Sequence, residues 1–518
     1  MLTLTVADIA ALAEELTAYH AHFAPLFHRR EQREWAEVYL QGLLLTDVPR
    51  KNVEAMALRV LGAGPAAVRQ VRGLQQFVSE GAWDDQAILA AHQEWVDETL
   101  GEDDGVLIID GSDVPKQGEH SVGVARQWCG ASGKTENCQA GVYLGYASRR
   151  GYTLLDRRLY LHASWFAADH RERWTACAVP DDVRFRTKLE LAAQMVEEIQ
   201  QQQRVRARWF VCDEGYGQDP TLLDRVAATG LWYLAEVPGL PLVWPLQDPA
   251  TGKERPHPQL WIPPRQPGRR GRSFTKERLH PDTLPPVRVD TLPVQIPDHA
   301  WHRYRILEGS KGPLVADFAA VRALTSRHGL PGPAVWVLVR RPVGQQDTKR
   351  EVKIYLSNAP AETPLAQLVR VSGMRWPIES CFQEGKSEVG LDQYELRSWR
   401  GWHHHMTLVI LAHHFLVRLQ QRLDQRGGEP PASDQNDRRS RGLFGRRATG
   451  RPGPSPSLPP TPHPHVTPDP LVTPRRFTVA HSGRDTGRGL GELHPMPQSG
   501  CLPLPSQTHT PTPGTTYR

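Results

Sequence analysis

Two aspartates and a glutamate stand in contexts that make a carboxylate informative. In LIIDGSDVPKQG, residues 107–118, three apolar residues run into Asp110 and glycine follows at once. In RWFVCDEGYG, residues 208–217, an aromatic and apolar run ends on Asp213, with glycine two positions later. A strand that ends on aspartate has an ordinary reading, because this side chain caps turns by accepting backbone N–H bonds. Two such strands side by side have another reading, since ligands gather at the carboxyl edge of α/β sheets. Asp113 lies in the same first motif and is expected to serve the loop.

The third carboxylate sits in RWPIESCFQEGKSEVGL, residues 375–391. On a helix at about 100° per residue, Arg375 and Glu379 are about 40° apart, and Glu379 and Lys386 about 20°. These residues share one face with Phe382. Pro377 suits only a first helical turn, which puts Arg375 just before the regular helix. On an exposed face the stripe would be a set of neighbouring ion pairs. Trp376, Ile378, Cys381 and Phe382 surround Glu379, however, and a carboxylate in apolar company needs a partner, of which a metal ion is one.

The elements that must position these groups follow from periodicity. Residues 1–98 carry apolar side chains at three- and four-residue spacing and read as helices, either a scaffold or a DNA-binding module. From about residue 105 the period shortens. GVLIID, GVYLGYA and TLLDRRLYL read as successive strands, followed by a helix over 186–202, a strand RWFVCD, a helix over 219–230 closed by Gly230, and a strand LWYLAEV. This is a mixed α/β layer. Residues 239–330 are read as a β-rich insertion whose first part, to about 300, is rich in Pro, Arg and Gly. Strands return at 334–341 and 352–358, and helices at 363–373, 375–391 and 404–423.

Composition bounds the rest. The chain has 518 residues, 39% apolar and 23% charged, which fits a globular protein of several domains. Six cysteines without a CxxC pair argue against a disulfide framework or a zinc site and for a reducing cytoplasm. MTLVILAHHFLV at 406–417 is too short to span a bilayer, and the N-terminus reads as an amphipathic helix, so no membrane role is expected. His403–His405, His413 and His414 read as packing on one apolar helix. Arg397 and Arg400, near Trp399 and Trp402, can grip or stack on DNA, or simply pack. The net charge of +5 lies in the tail: residues 424–518 hold 12 Arg, no Lys and 7 acids, leaving 50 of each sign in residues 1–423. That Pro- and Arg-rich tail is expected to be disordered, as a basic DNA-binding extension or a shifted reading frame.

RWPIESCFQEGK resembles the Y-R-E-K signature of DDE transposases of bacterial insertion sequences: Arg, three residues, Glu, six residues, Lys. GEHSVGVARQWCGASGKTENCQAGVYLGYAS (118–148), LLDRRLYLHASW (154–165), FRTKLELAAQM (185–195) and CDEGYGQDP (212–220) resemble the seven-oh-one group of the IS-four-like superfamily. The likeness covers about residues 20–420. It implies an RNase H-like catalytic core, over 99–238 and 331–423, with an N-terminal helical domain (1–98), the insertion (239–330) and the tail (424–518). It implies Asp110, Asp213 and Glu379 as the catalytic triad and metal ligands, and Ser372 (in the tyrosine position), Arg375 and Lys386 as DNA-backbone contacts. The first motif departs from the family's D-D-T by reading D-G-S.

The expected activity is DNA cleavage at transposon ends followed by strand transfer, using two Mg²⁺ or Mn²⁺ ions. Asp110 would bridge both ions, and Asp213 and Glu379 would each hold one. The expected partners are double-stranded DNA, both terminal inverted repeats and target, and a second copy in a synaptic homodimer. The expected setting is the bacterial cytoplasm, at the nucleoid. The alternatives are a catalytically impaired DNA-binding remnant and an RNase H-like nuclease without transposition.

Overall fold

The apolar runs of the middle and later chain assemble into one large mixed sheet in a computed structural model that describes residues 6–264, 274–309, 312–343 and 352–426. Ahead of it lie α1 (Val6–Phe23), α2 (Arg30–Leu44), α3 (Val53–Leu61), α4 (Ala67–Ser79) and α5 (Asp85–Leu100). Local chemistry starts two of these. The Asn52 side chain accepts from the Ala55 N–H, and Asp84 from Gln86 and Ala87, satisfying donors that a helix N-terminus leaves open.

The first strands are β1 (Val106–Pro115), β2 (Ala125–Cys129), β3 (Lys134–Ser148) and β4 (Gly151–Tyr160), paired antiparallel as β2–β3, β1–β3 and β3–β4. After α6 (Arg171–Ala176) and α7 (Lys188–Gln202), β5 (Trp209–Cys212) adds parallel to β1. Then α8 (Glu214–Gly217) and α9 (Pro220–Ala228) lead to β6 (Trp232–Val237), parallel to β5. Thr187 and Glu190 form a capping box at the start of α7, and Asp219 caps α9.

The segment expected as an insertion continues the same sheet. Its strands are β7 (Leu242–Pro245), β8 (Leu260–Trp261), β9 (Arg278–Leu279), β10 (Val287–Arg288), β11 (His302–Gly309) and β12 (Gly312–Arg327). Then come β13 (Leu330–Pro342) and β14 (Lys353–Ser357). The sheet order is β10-β7-β12-β13-β14-β6-β5-β1-β3-β2, with β11 on β12 and β4 on β3, while β8 and β9 pair apart. The expected boundary at 330 therefore falls at the first residue of β13, just after the β12–β13 turn. The alanines of β12 (Ala316, Ala319, Ala320, Ala323) lean toward helix, which hides this strand from a periodicity reading.

The first strand also differs from expectation. It does not end at Asp110 but runs to Pro115, because β3 supplies partners along its whole length. Pro115 is its last residue, where a missing N–H costs little. What stops is the parallel partner β5, at Cys212. Helices α10 (Leu365–Gly373), α11 (Trp376–Ser387) and α12 (Trp399–Arg426) complete the unit. The expected last helix thus begins five residues earlier and reaches past 423, and the rest of the expected disordered tail lies outside the described residues. So does 265–273, within the Pro-, Arg- and Gly-rich segment.

The sheet buries both faces. One face carries Ile108, Val211, Leu234 and Tyr355 and packs against α10, α11, α12 and the N-terminal helices. The other carries Ile109, Phe210 and Ala235 and packs against α7 and α9. Five cysteines are free and buried. Among the described residues no helix is long and apolar enough to cross a membrane.

Candidate active site

Strand register brings the two aspartates together. Ile109 and Cys212 are partners across the parallel β1–β5 pair, so the next residues, Asp110 and Asp213, lie side by side on strands about 4.8 Å apart. Alternation puts both on the face of Ile108 and Val211, beneath α11. Asp213 also does the ordinary work of a strand-end aspartate: it caps α8, accepting from the Tyr216 N–H at 3.2 Å. Gly217 makes this turn possible, since a Cβ there would lie 2.0 Å from the Glu236 carbonyl oxygen.

Glu379 arrives from above. Its helix is seated by buried Ile378, Cys381 and Phe382. Gly145 on β3 leaves room for it, with Ile378 only 3.3 Å from where a Cβ would be. Arg375 immediately precedes α11 without capping it through its side chain, and Pro377 sits in the first turn. The Arg375 guanidinium donates to Asp110 Oδ2 at 3.3 Å and to the Glu379 carboxylate one turn on. One arginine thus joins the sheet carboxylate to the helix carboxylate.

The electrostatics follow from this crowding. Burial, and then the Asp213 charge, push the Asp110 carboxyl up to about 7; Glu379 adds to the rise, and the Gly111 N–H and Arg375 oppose it. Burial works against the Arg375 charge, but Glu379 and Asp110, with Glu236 and Asp213, hold its pKa above the usual value. A partly buried cluster of like charges is a place that favours a cation.

The other expected residues are placed differently. Ser372 is on α10, and its hydroxyl donates to the Val369 carbonyl at 2.8 Å. As placed, its single proton is committed and none is left for a phosphate. Lys386 lies in the last turn of α11, half-buried, with no ion pair among the described residues. Arg397 and Arg400 are exposed and line a cleft of about 1320 Å³ that also includes Arg72, Glu80, Asp85 and Arg158. None of the three carboxylates lines that cleft, and the Arg400 guanidinium is bonded to the Glu80 carbonyl at 2.9 Å. Asp113 faces away from Asp110, accepting from the Gly130 N–H at 2.7 Å and pairing with Lys188 at 3.6 Å. The histidines of α12 are packing groups: His404, for example, stacks on Trp83 with ring centroids 3.6 Å apart.

Sequence reasoning missed Glu236. It follows Ala235, the register partner of Cys212, and so continues the row Asp110–Asp213 onto β6. Its carboxylate meets Lys353 of β14 at 2.6 Å. A carboxylate inside the apolar strand WYLAEV was the available signal, because buried charges are almost always paired.

Among the described residues no three His, Cys, Asp or Glu side chains converge closely enough to enclose a metal ion as they stand. The donor chemistry nevertheless fits a hard divalent cation: carboxylate oxygens only, on a sheet edge where Asp110 is destabilised as an anion by Asp213 and Glu379 and answered by a guanidinium. Asp110, Asp213 and Glu379 are the residues that would hold it.

A family model described as DDE superfamily endonuclease matches residues 22–313, a span that includes Asp110 and Asp213 and stops short of Glu379. Among solved structures, the NurA nuclease from Sulfolobus solfataricus matches at 10% identity. That match covers 58% of this chain and 86% of the nuclease, with a TM-score of 0.24, too slight to carry an argument. No curated protein matches the chain.

Proposed function

Because the chain belongs to the DDE superfamily endonucleases, we propose that it is a metal-dependent DNA transposase with Asp110, Asp213 and Glu379 as its catalytic carboxylates. The observation that carries this is the adjacency of Asp110 and Asp213 at the open end of the parallel strands, with Glu379 tied to Asp110 through Arg375. The strand order β4-β3-β1-β5-β6, antiparallel then parallel, supports an RNase H-like core. The helices α1–α5 are the proposed DNA-binding region, and a homodimer the proposed synaptic unit.

Bound Mg²⁺ or Mn²⁺ ions would activate the attacking oxygen and stabilise the leaving one. The chain's own residues do the rest. Asp110, Asp213 and Glu379 are the residues that would hold those ions at the carboxyl edge of the parallel strands. Arg375 and Lys386 supply positive charge along one face of α11, where a DNA backbone can be oriented without its sequence being read. In cleavage, water adds to phosphorus as the 3′-oxygen leaves. In strand transfer, that 3′-hydroxyl attacks a target phosphodiester, one P–O bond forming as one breaks.

Nicking of supercoiled plasmid in Mg²⁺ tests the reading. The parent should nick, and Asp110→Ala, Asp213→Ala and Glu379→Ala should each lose at least about a hundredfold in rate while still retarding DNA in a gel. Retained nicking by a variant removes that residue from the site. Joined product from labelled terminal repeats separates a transposase from a nuclease that only cuts.

A further inference from the structure

The carboxylate row does not end with the residues assigned above. Ile109, Cys212 and Ala235 are in register across the consecutive parallel strands β1, β5 and β6, so Asp110, Asp213 and Glu236 each follow a register partner, Asp213 just past the end of β5. All three lie on the sheet face covered by α11, since Leu234, two residues before Glu236, packs on that face. Glu236 is nearly buried, and Tyr355 of β14 is its register partner. Lys353, two residues before Tyr355 and on the same side, closes on Glu236 at 2.6 Å. Above this row sits Arg375, bonded to Asp110 and Glu379 and acted on by Glu236 and Asp213 as well.

We propose that the Glu236–Lys353 ion pair is a positioning element of the site, which holds Arg375 between sheet and helix and so sets how readily Asp110 and Glu379 exchange its guanidinium for a divalent cation. The proposal rests on the metal reading given above. Arg375 and an incoming cation compete for the same carboxylates. Glu236, in the same row two strands from Asp110, draws on the guanidinium through its charge and lowers its hold on Asp110 and Glu379. Lys353 moderates Glu236 by neutralising part of its charge. Removing either partner breaks the same ion pair, but the consequences for the cation are opposite.

The test is Mn²⁺ binding to the full chain, followed by titration calorimetry, with thermal melts confirming that each variant is folded. Glu236→Gln should weaken Mn²⁺ binding, and Lys353→Met should tighten it, each by about three- to tenfold. Glu236→Asp, which keeps the charge, should bind close to the parent. If Glu236→Gln does not fold, Lys353→Met carries the test alone, and unchanged or weaker binding by it overturns the proposal. A pair that is merely structural moves both variants in the same direction or neither, and that result also overturns it. In an Arg375→Gln background the two shifts should shrink. Undiminished shifts there show that the pair does not act through Arg375, and the proposal fails. Parent-like Mn²⁺ binding by Asp110→Asn would instead overturn the metal reading itself.

Discussion

At the scale of the residue, Asp110 is largely withdrawn from water and crowded by other carboxylates. Burial and the neighbouring Asp213 charge raise its carboxyl to about 7. Between the ordinary carboxyl value near 4 and about 7, the folded chain keeps a proton that the unfolded chain has released. Asp110 therefore lends stability at low pH that is lost as pH rises through about 7. Asp110→Asn should remove this loss, so that the melting temperature of the metal-free variant falls less than the parent's between about pH 5 and about pH 8. A parallel pH profile for variant and parent would show that Asp110 is not the titrating group. Cation binding must expel the same proton, so Mn²⁺ affinity should rise by up to about tenfold per pH unit across that window. The residues expected to contact DNA divide at this scale. Arg375 is lodged among carboxylates, Lys386 makes no ion pair among the described residues, and Ser372 has spent its hydroxyl proton within α10.

At the scale of the element, the site depends on three pieces brought close by missing side chains and clamped by polar contacts. Gly217 lets α8 lie against the Glu236 carbonyl, and Asp213 caps α8. Gly217→Ala would set a methyl 2.0 Å from that backbone oxygen, which cannot swing aside as a side chain can. The expected cost is about 1–3 kcal/mol of stability, with nicking reduced beyond the loss of folded protein. A parent-like melting temperature would show that α8 is free to move. Gly145→Ala, facing the flexible end of Ile378 at 3.3 Å, should be milder. The roll of α11 is held farther along by Glu384, which accepts from Tyr152 of β4 at 2.7 Å and meets His413 of α12 at 3.0 Å. These contacts orient Glu379 although they lie more than a turn away.

At the scale of the whole molecule, α1–α5, α12 and one face of the sheet share a hydrophobic cluster, so the N-terminal helices are built onto the layer that carries the site. Histidines are buried in that junction. Burial holds His92 and His404 down at about 4 and His403 and His405 at about 3, with His414 also well below its usual value. Below about 6.5 the unfolded chain takes up protons that these folded rings refuse. Stability is thus intact above about 6.5 and lost as pH falls, with each ring contributing roughly 1.4 kcal/mol per pH unit. Unfolding followed by tryptophan fluorescence should show a steep fall in melting temperature between about pH 6.5 and about pH 5, less steep in His404→Gln. A flat profile would mean that these rings protonate in place.

Asp110, Asp213 and Glu379 are legible as candidates because each sits in an apolar run whose period declares a strand or helix, and burial of a carboxylate beside such a run requires a partner. The sequence by itself determined many of the elements, though not β12, and the 40° and 20° spacings along α11, since these are local consequences of backbone geometry. The tertiary structure decided what those elements meet. Whether β1 ends at Asp110 depended on β3, which pairs past it, and on β5, which stops. The bond from Arg375 to Asp110 spans 265 residues, and Lys353 reaches Glu236 across 117. Strand register and helix docking set such contacts, and neither is written in the period of any one segment.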